Sequence, residues 1–194
     1  MTFAHFLVLV GIGLSVIANS AYIRDTLKGV TKPNRVTWFM WALAPLVGSI
    51  IAFYSGADPW VTSRVFIAGA LPLLVFLVSF INTQSYWKLT QFDVLCGLLS
   101  LLAFFLWLLT RQSGLAIILA ITADVFASIP TLIKAWNHPE TETGIAYVLY
   151  SLSFIIVLPA IPVWNVENAG FQIYLLFINT LLTVFVYRKR FLNA

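Results

Sequence analysis

Charge is the scarcest property of this chain. Only 9% of its 194 residues are Asp, Glu, Lys or Arg, whereas 61% are hydrophobic; a soluble domain needs about a quarter of its residues charged to cover its surface. An ordinary soluble domain is excluded. Cysteine is nearly absent too, and the single Cys96 excludes both an internal disulfide framework and paired thiolate metal ligands. The two histidines, His5 and His138, fall on opposite sides of the membrane in the reading below, so they cannot share a metal. No His-Glu-x-x-His, glycine-rich phosphate loop or nucleophile elbow occurs. The sequence therefore predicts no metal, no cofactor and no enzymatic activity.

Long apolar runs take the place of charge. Seven are about long enough to cross ~30 Å of hydrocarbon as helices: Phe3 to Tyr22, Val36 to Tyr54, Val61 to Ile81, Leu89 to Leu109, Gly114 to Trp136, Gly144 to Trp164, and Gly170 to Tyr187. Lipid offers backbone amides no partner, so spans are helices or closed barrels, and runs such as Val94 to Leu109 lack the two-residue alternation of a barrel strand. The expected fold class is an all-α membrane protein with seven transmembrane helices in a single domain, 1–194. Ala18-Asn19-Ser20 faintly resembles a signal-peptide cleavage site, but no Lys or Arg precedes the first span, which is expected to stay as a mature helix.

The few charges are distributed unevenly. Arg24, Lys28, Lys32, Arg35, Lys88, Lys134, Arg188, Lys189 and Arg190 fall on one side of the alternating spans, and only Arg64 and Arg111 on the other. The positive-inside rule makes the first side cytoplasmic, with the N-terminus outside and the C-terminus inside, in a cell or inner membrane. The net charge of +4 is thus a topology signal with no nucleic-acid footprint, and the basic rim suits anionic lipid headgroups.

The chain also repeats itself. Leu27-Lys28-Gly29-Val30-Thr31-Lys32-Pro33-Asn34 is echoed 106 positions later by Ile133-Lys134-Ala135-Trp136-Asn137-His138-Pro139-Glu140. Both copies join the first and second apolar runs of a half-chain, the pattern of a duplicated transporter. Two like-oriented triplets require one helix between them, so the expected plan is 3+1+3, with a first repeat at 1–81, a linker helix at 89–110 and a second repeat at 114–190. The run Asp124-Val125-Phe126-Ala127-Ser128-Ile129-Pro130-Thr131-Leu132-Ile133-Lys134-Ala135-Trp136, followed by Thr141-Glu142-Thr143-Gly144, resembles the signature of PQ-loop proteins, which include SWEET sugar transporters and lysosomal amino-acid exporters. Pro130 matches the proline of that signature and Thr131 replaces its glutamine; Arg24 and Asp25 occupy the dipeptide's place in the first copy. The resemblance implies a SWEET-like transporter fold.

Asp124 is the sharpest functional candidate, because a charged side chain at mid-membrane costs roughly 2.5–3.5 kcal/mol and usually faces a cavity. It either handles a proton or cationic solute there, or bonds a neighbouring helix. Asn19 lies at the corresponding depth of the first helix and Asn179 is centred in the seventh. Trp41, with Trp38 one turn away, and Tyr147 with Tyr150 suit stacking on a solute, although aromatic belts at the membrane surface are the ordinary use of such residues. Pro130, and more weakly Pro45, cannot complete the helical ladder and suit hinges, with a kink expected near Phe126. Ala68-Gly69-Ala70 suits close helix packing. Substrate-binding candidates are therefore Asp124, Asn19, Asn179, Trp41, Tyr147 and Tyr150, and hinge candidates Pro130 and Pro45.

These features predict a transporter of a small polar solute, neutral or cationic, working by rocking of the two triplets. The alternatives are a receptor, sorting or assembly protein on the same fold. Expected partners are membrane lipid and the solute, and the chain is compatible with a homo-oligomer.

Overall fold

Helix starts are written into short polar stretches. Thr2 Oγ1 accepts from the His5 amide while His5 Nδ1 accepts from the Thr2 amide, both at 3.3 Å, closing a capping box with histidine in the usual Glu position. Thr90 and Asp93 form a second box. Asn34 Oδ1 accepts from the Val36 and Thr37 amides, and Pro59 occupies a first helical position, where its missing amide costs nothing. The result, a computed structural model describing residues 2–54, 56, 59–110 and 112–192, is all-helical. Its seven α-helices among the described residues are α1 (Phe3–Leu27), α2 (Arg35–Tyr54), α3 (Pro59–Val78), α4 (Gln91–Leu109), α5 (Ser113–Asn137), α6 (Gly144–Val157) and α7 (Phe171–Leu192). Arg111 and the side chain of Arg190, both used in the charge assignment, lie outside the described residues.

Five helical stretches are long and apolar enough to cross a membrane: Phe3–Leu27, Arg35–Tyr54, Gln91–Leu109, Gly114–Asn137 and Asn168–Lys189. Thr62–Val78 and Gly144–Ala160 are apolar but shorter. The sixth span therefore stops earlier than the expected Trp164. Pro159 and Pro162 lack the amides a helix needs there, so α6 tightens into a 3-10 turn at Leu158–Ala160, and the chain resumes through a π turn at Val166–Gly170. The first and seventh helices run on past Tyr22 and Tyr187 into their basic ends.

Each helix turns an apolar face outward. Phe6, Ile50, Phe66, Leu98, Ile118, Ile155 and Phe177, one per helix, are all exposed on the bundle surface, which water penalises and hydrocarbon accepts. Inside, α3 packs along both α1 and α2, and α7 along both α5 and α6. The two groups meet through α1 on α6 and α2 on α5, while α4 lies against α5 and, to a smaller extent, α2. Close approach depends on glycine. A Cβ at Gly69 would stand 2.8 Å from the Leu46 backbone nitrogen and 3.0 Å from the Ala42 carbonyl oxygen, so α2 and α3 pack backbone to backbone here.

The main core cluster sits toward the basic end and joins Ala18 and Tyr22 of α1, Trp38 of α2, Val75 of α3, Ala135 of α5, Ala146 and Tyr147 of α6, and Leu182 of α7. Trp38 is 1% exposed and Tyr147 0%. That corrects the aromatic-belt reading for these two residues, since neither ring reaches the surface of the bundle. Each is held by partners inside the bundle: Tyr22 packs 4.5 Å from Trp38 and edge-on to Tyr147 at 6.2 Å, centroid to centroid.

Candidate solute cavity

Between the two helix groups lies a cavity of about 130 Å³. Its wall takes residues from α1 (Gly11, Ile12, Ser15), α2 (Trp38, Trp41, Pro45), α3 (Arg64, Ile67, Ala68, Leu71, Pro72), α5 (Asp124), α6 (Tyr150, Ser153, Phe154) and α7 (Phe171, Leu175, Ile178, Asn179), and none from α4. Most of the wall is apolar, so the few polar groups stand out as the means of orienting a ligand.

Asp124 is the polar centre. It lies eleven residues into α5, about 16 Å along the axis from that helix's start. Tyr174 donates to its Oδ2 at 2.8 Å and Ser128, one turn along α5, donates to the same oxygen at 3.1 Å. Trp41 Nε1 donates in turn to Ser128 Oγ at 3.2 Å. Oδ1 accepts no hydrogen bond among the described residues. Hydrogen bonds to charged groups contribute about 1.5–3 kcal/mol each, so the two on Oδ2 offset much of the cost of the charge. Arg64 shares the cavity wall from α3 and donates from Nη2 to Gln172 Oε1 at 3.1 Å.

Toward the basic end the cavity is stopped by the Tyr22, Trp38 and Tyr147 layer and, beneath it, by a buried ion pair. Lys134 Nζ lies 2.6 Å from Glu142 Oε1, with the two side chains 1% and 0% exposed. Tyr22 and Tyr147 donate to the other carboxylate oxygen at 2.7 and 2.8 Å, and Lys134 also donates to the Lys32 carbonyl. The α1–α2 connection is thereby tied to the α5–α6 connection, where Lys32 N also donates to the Thr141 carbonyl at 3.0 Å.

Of the residues singled out in the sequence, Asp124, Trp41, Tyr150, Asn179 and Pro45 line this cavity. Asn19 and Tyr147 do not. Asn19 Oδ1 accepts from Tyr150 at 3.0 Å, fixing that cavity residue from behind, and Tyr147 is engaged with Glu142 below the floor. Pro130 is buried away from the wall, and α5 is continuous through it. Sequence reasoning missed Arg64, Tyr174, Ser128 and the Lys134–Glu142 pair. Arg64 and Lys134 had been absorbed into the topology count; Ser128, four residues after a buried Asp, was the legible one. Among the described residues no three His, Cys, Asp or Glu side chains come together as metal ligands. No protein-family model, curated protein or solved structure matches the chain.

Proposed function

We propose that this protein is an integral membrane transporter that carries a small polar solute by alternating access between two parallel three-helix repeats, residues 1–81 and 114–190, linked by α4. The basic end faces the cytoplasm. The observation that carries this reading is the cavity itself, walled by all six helices of the two triplets and by nothing from the linker. Repeat-related transporters place their sites at this kind of interface.

The 106-residue offset supports the repeat at the level of single contacts. It turns residues 25 and 143 into 131 and 37, and both pairs are hydrogen-bonded: Thr143 Oγ1 donates to Asp25 at 3.2 Å and Thr131 Oγ1 to Thr37 at 2.9 Å. It also turns the Tyr22 and Tyr147 contact into the Ser128 and Trp41 hydrogen bond. Helix packing follows the same exchange, α1 on α6 becoming α5 on α2. The PQ-loop resemblance agrees with this plan, and the sealed basic end describes a state with the cavity shut toward the cytoplasm.

The test needs no knowledge of the solute. On a Cys96→Ser background in proteoliposomes, Ser15→Cys in the cavity wall should react with a membrane-impermeant maleimide from either face, in separate populations. Reaction from one face only, under every condition, would replace transport by a receptor or sorting role on the same fold.

A further inference from the structure

We propose that the cavity selects a small zwitterion, its anionic group held by Arg64 and its cationic group by Asp124. This rests on the reading that the cavity holds the solute, and it names the solute's charge pattern. Both side chains line one largely apolar cavity, and they carry opposite charges. They do not neutralise each other, since no Arg64–Asp124 ion pair occurs within 4 Å; among the described residues the ion pairs are Arg24–Asp25, Lys134–Glu142 and His138–Glu140. Among the described residues Arg64 donates to the neutral Gln172, a partner that leaves its charge without a counter-ion.

Geometry separates the two charges along the bundle. Arg64 is five residues into α3, about 8 Å from that helix's start, whereas Asp124 is about 16 Å from the start of α5, which begins at the same end. A ligand spanning this difference carries its anion toward the outer mouth and its cation toward the middle. A neutral sugar would leave both charges uncompensated in low dielectric, and a simple cation or anion would leave one. Only a molecule with both satisfies the site. The apolar remainder of the wall, with Ile67, Leu71 and Phe154, suits an aliphatic side chain beside the two charged groups.

Two isosteric ligand sets test the proposal on the purified full-length protein, by calorimetry and thermal shift. L-Alanine is compared with L-alaninamide, L-lactate and L-lactamide, and L-leucine with the corresponding three leucine analogues. The expected result is binding of a zwitterion at least about tenfold tighter than its singly charged or neutral analogues. Arg64→Gln should lower zwitterion affinity to that of the amide, and Asp124→Asn to that of the hydroxy acid; Arg64→Lys should retain part of the preference, which separates charge from folding. Equal binding of all four analogues, a preference for the neutral ones, or no binding by either zwitterion overturns the assignment. Uptake in proteoliposomes separates it from the transport reading. Zwitterion binding without flux sinks transport and leaves the site standing, whereas uptake of a sugar in preference to both zwitterions sinks the assignment and leaves transport standing.

Discussion

Removing one partner of the Lys134–Glu142 pair strands a charge in the protein interior. The carboxylate receives three donors, Lys134 and the hydroxyls of Tyr22 and Tyr147, and the ammonium has a carboxylate and the Lys32 carbonyl. Glu142→Gln leaves the ammonium without its counter-charge and turns an amide donor toward it, so the loss should reach the 3–5 kcal/mol typical of a broken buried pair. Lys134→Met leaves a carboxylate still held by two hydroxyls, each contributing about 1.5–3 kcal/mol, and should cost less, about 2–3 kcal/mol. The double variant removes both charges and should be less damaged than the sum of the singles by about 2 kcal/mol, a coupling within the range of directly contacting groups. Unfolding in mixed micelles with increasing denaturing detergent, followed by tryptophan fluorescence, measures all four corners. If both singles stay within about 1 kcal/mol of the parent, or the double is simply additive, the pair is not buried and the reasoning fails. The pair also ties two connections across the basic end, so the double variant should raise maleimide labelling of Ser15→Cys from that face.

Gly69→Ala should destabilise by about 1–3 kcal/mol, because its Cβ would meet the α2 backbone, while Gly13→Ala, with nothing within 4 Å, should be neutral or slightly stabilising in the same assay. Tyr174→Phe removes one of the two hydrogen bonds on Asp124 and should cut ligand affinity or flux about tenfold while thermal stability moves little. A reporter fused to the C-terminus should be cytoplasmic and one inserted at Gly56 external; the reverse result would overturn the orientation.

Composition was enough to predict an all-helical chain with helices long and apolar enough to cross a membrane, because scarcity of charge and helix-length apolar runs are properties of the whole sequence. It also singled out Asp124, which lines the cavity, because its cost in lipid demands an explanation wherever it stands. The interior aromatics were harder. Trp38 and Tyr147 lie near helix ends, where a membrane surface and a buried layer ask for the same residue types, and only the packing of α1 against α6 decides between them. Lys134 misled for a similar reason. A lysine in the last turn of a helix suits a rim, and its partner Glu142 lies eight residues on, across a turn through Pro139 whose direction no local pattern fixes. Arg64 carried no local signal, because what sets it apart is a cavity wall shared with an Asp sixty residues away.

In the proposed repeat plan the two halves differ in strength at the place where an opening movement would fall. Pro130 cannot donate to the Phe126 carbonyl, so α5 is missing one rung of its ladder. The next carbonyl, that of Ala127, receives an added hydrogen bond from Thr37 Oγ1 of α2 at 2.7 Å, and Thr37 in turn accepts from Thr131. α2 thus patches α5 beside its weakest turn. In the first half the equivalent place holds Asp25 rather than Thr131 and Arg24 rather than Pro130, so α1 keeps its ladder there and is tied to α6 through Thr143 instead. Swinging the basic end of α5 away from α2 would break two short hydroxyl bonds beside a missing rung, whereas moving α1 would require bending an intact helix. If the cavity opens toward the cytoplasm, α5 is the helix that yields. Thr37→Val should favour that state, raising labelling of Ser15→Cys from the cytoplasmic face, and the same substitution combined with Pro130→Ala should return it toward the parent level. Equal labelling in all three proteins would remove α5 as the moving part.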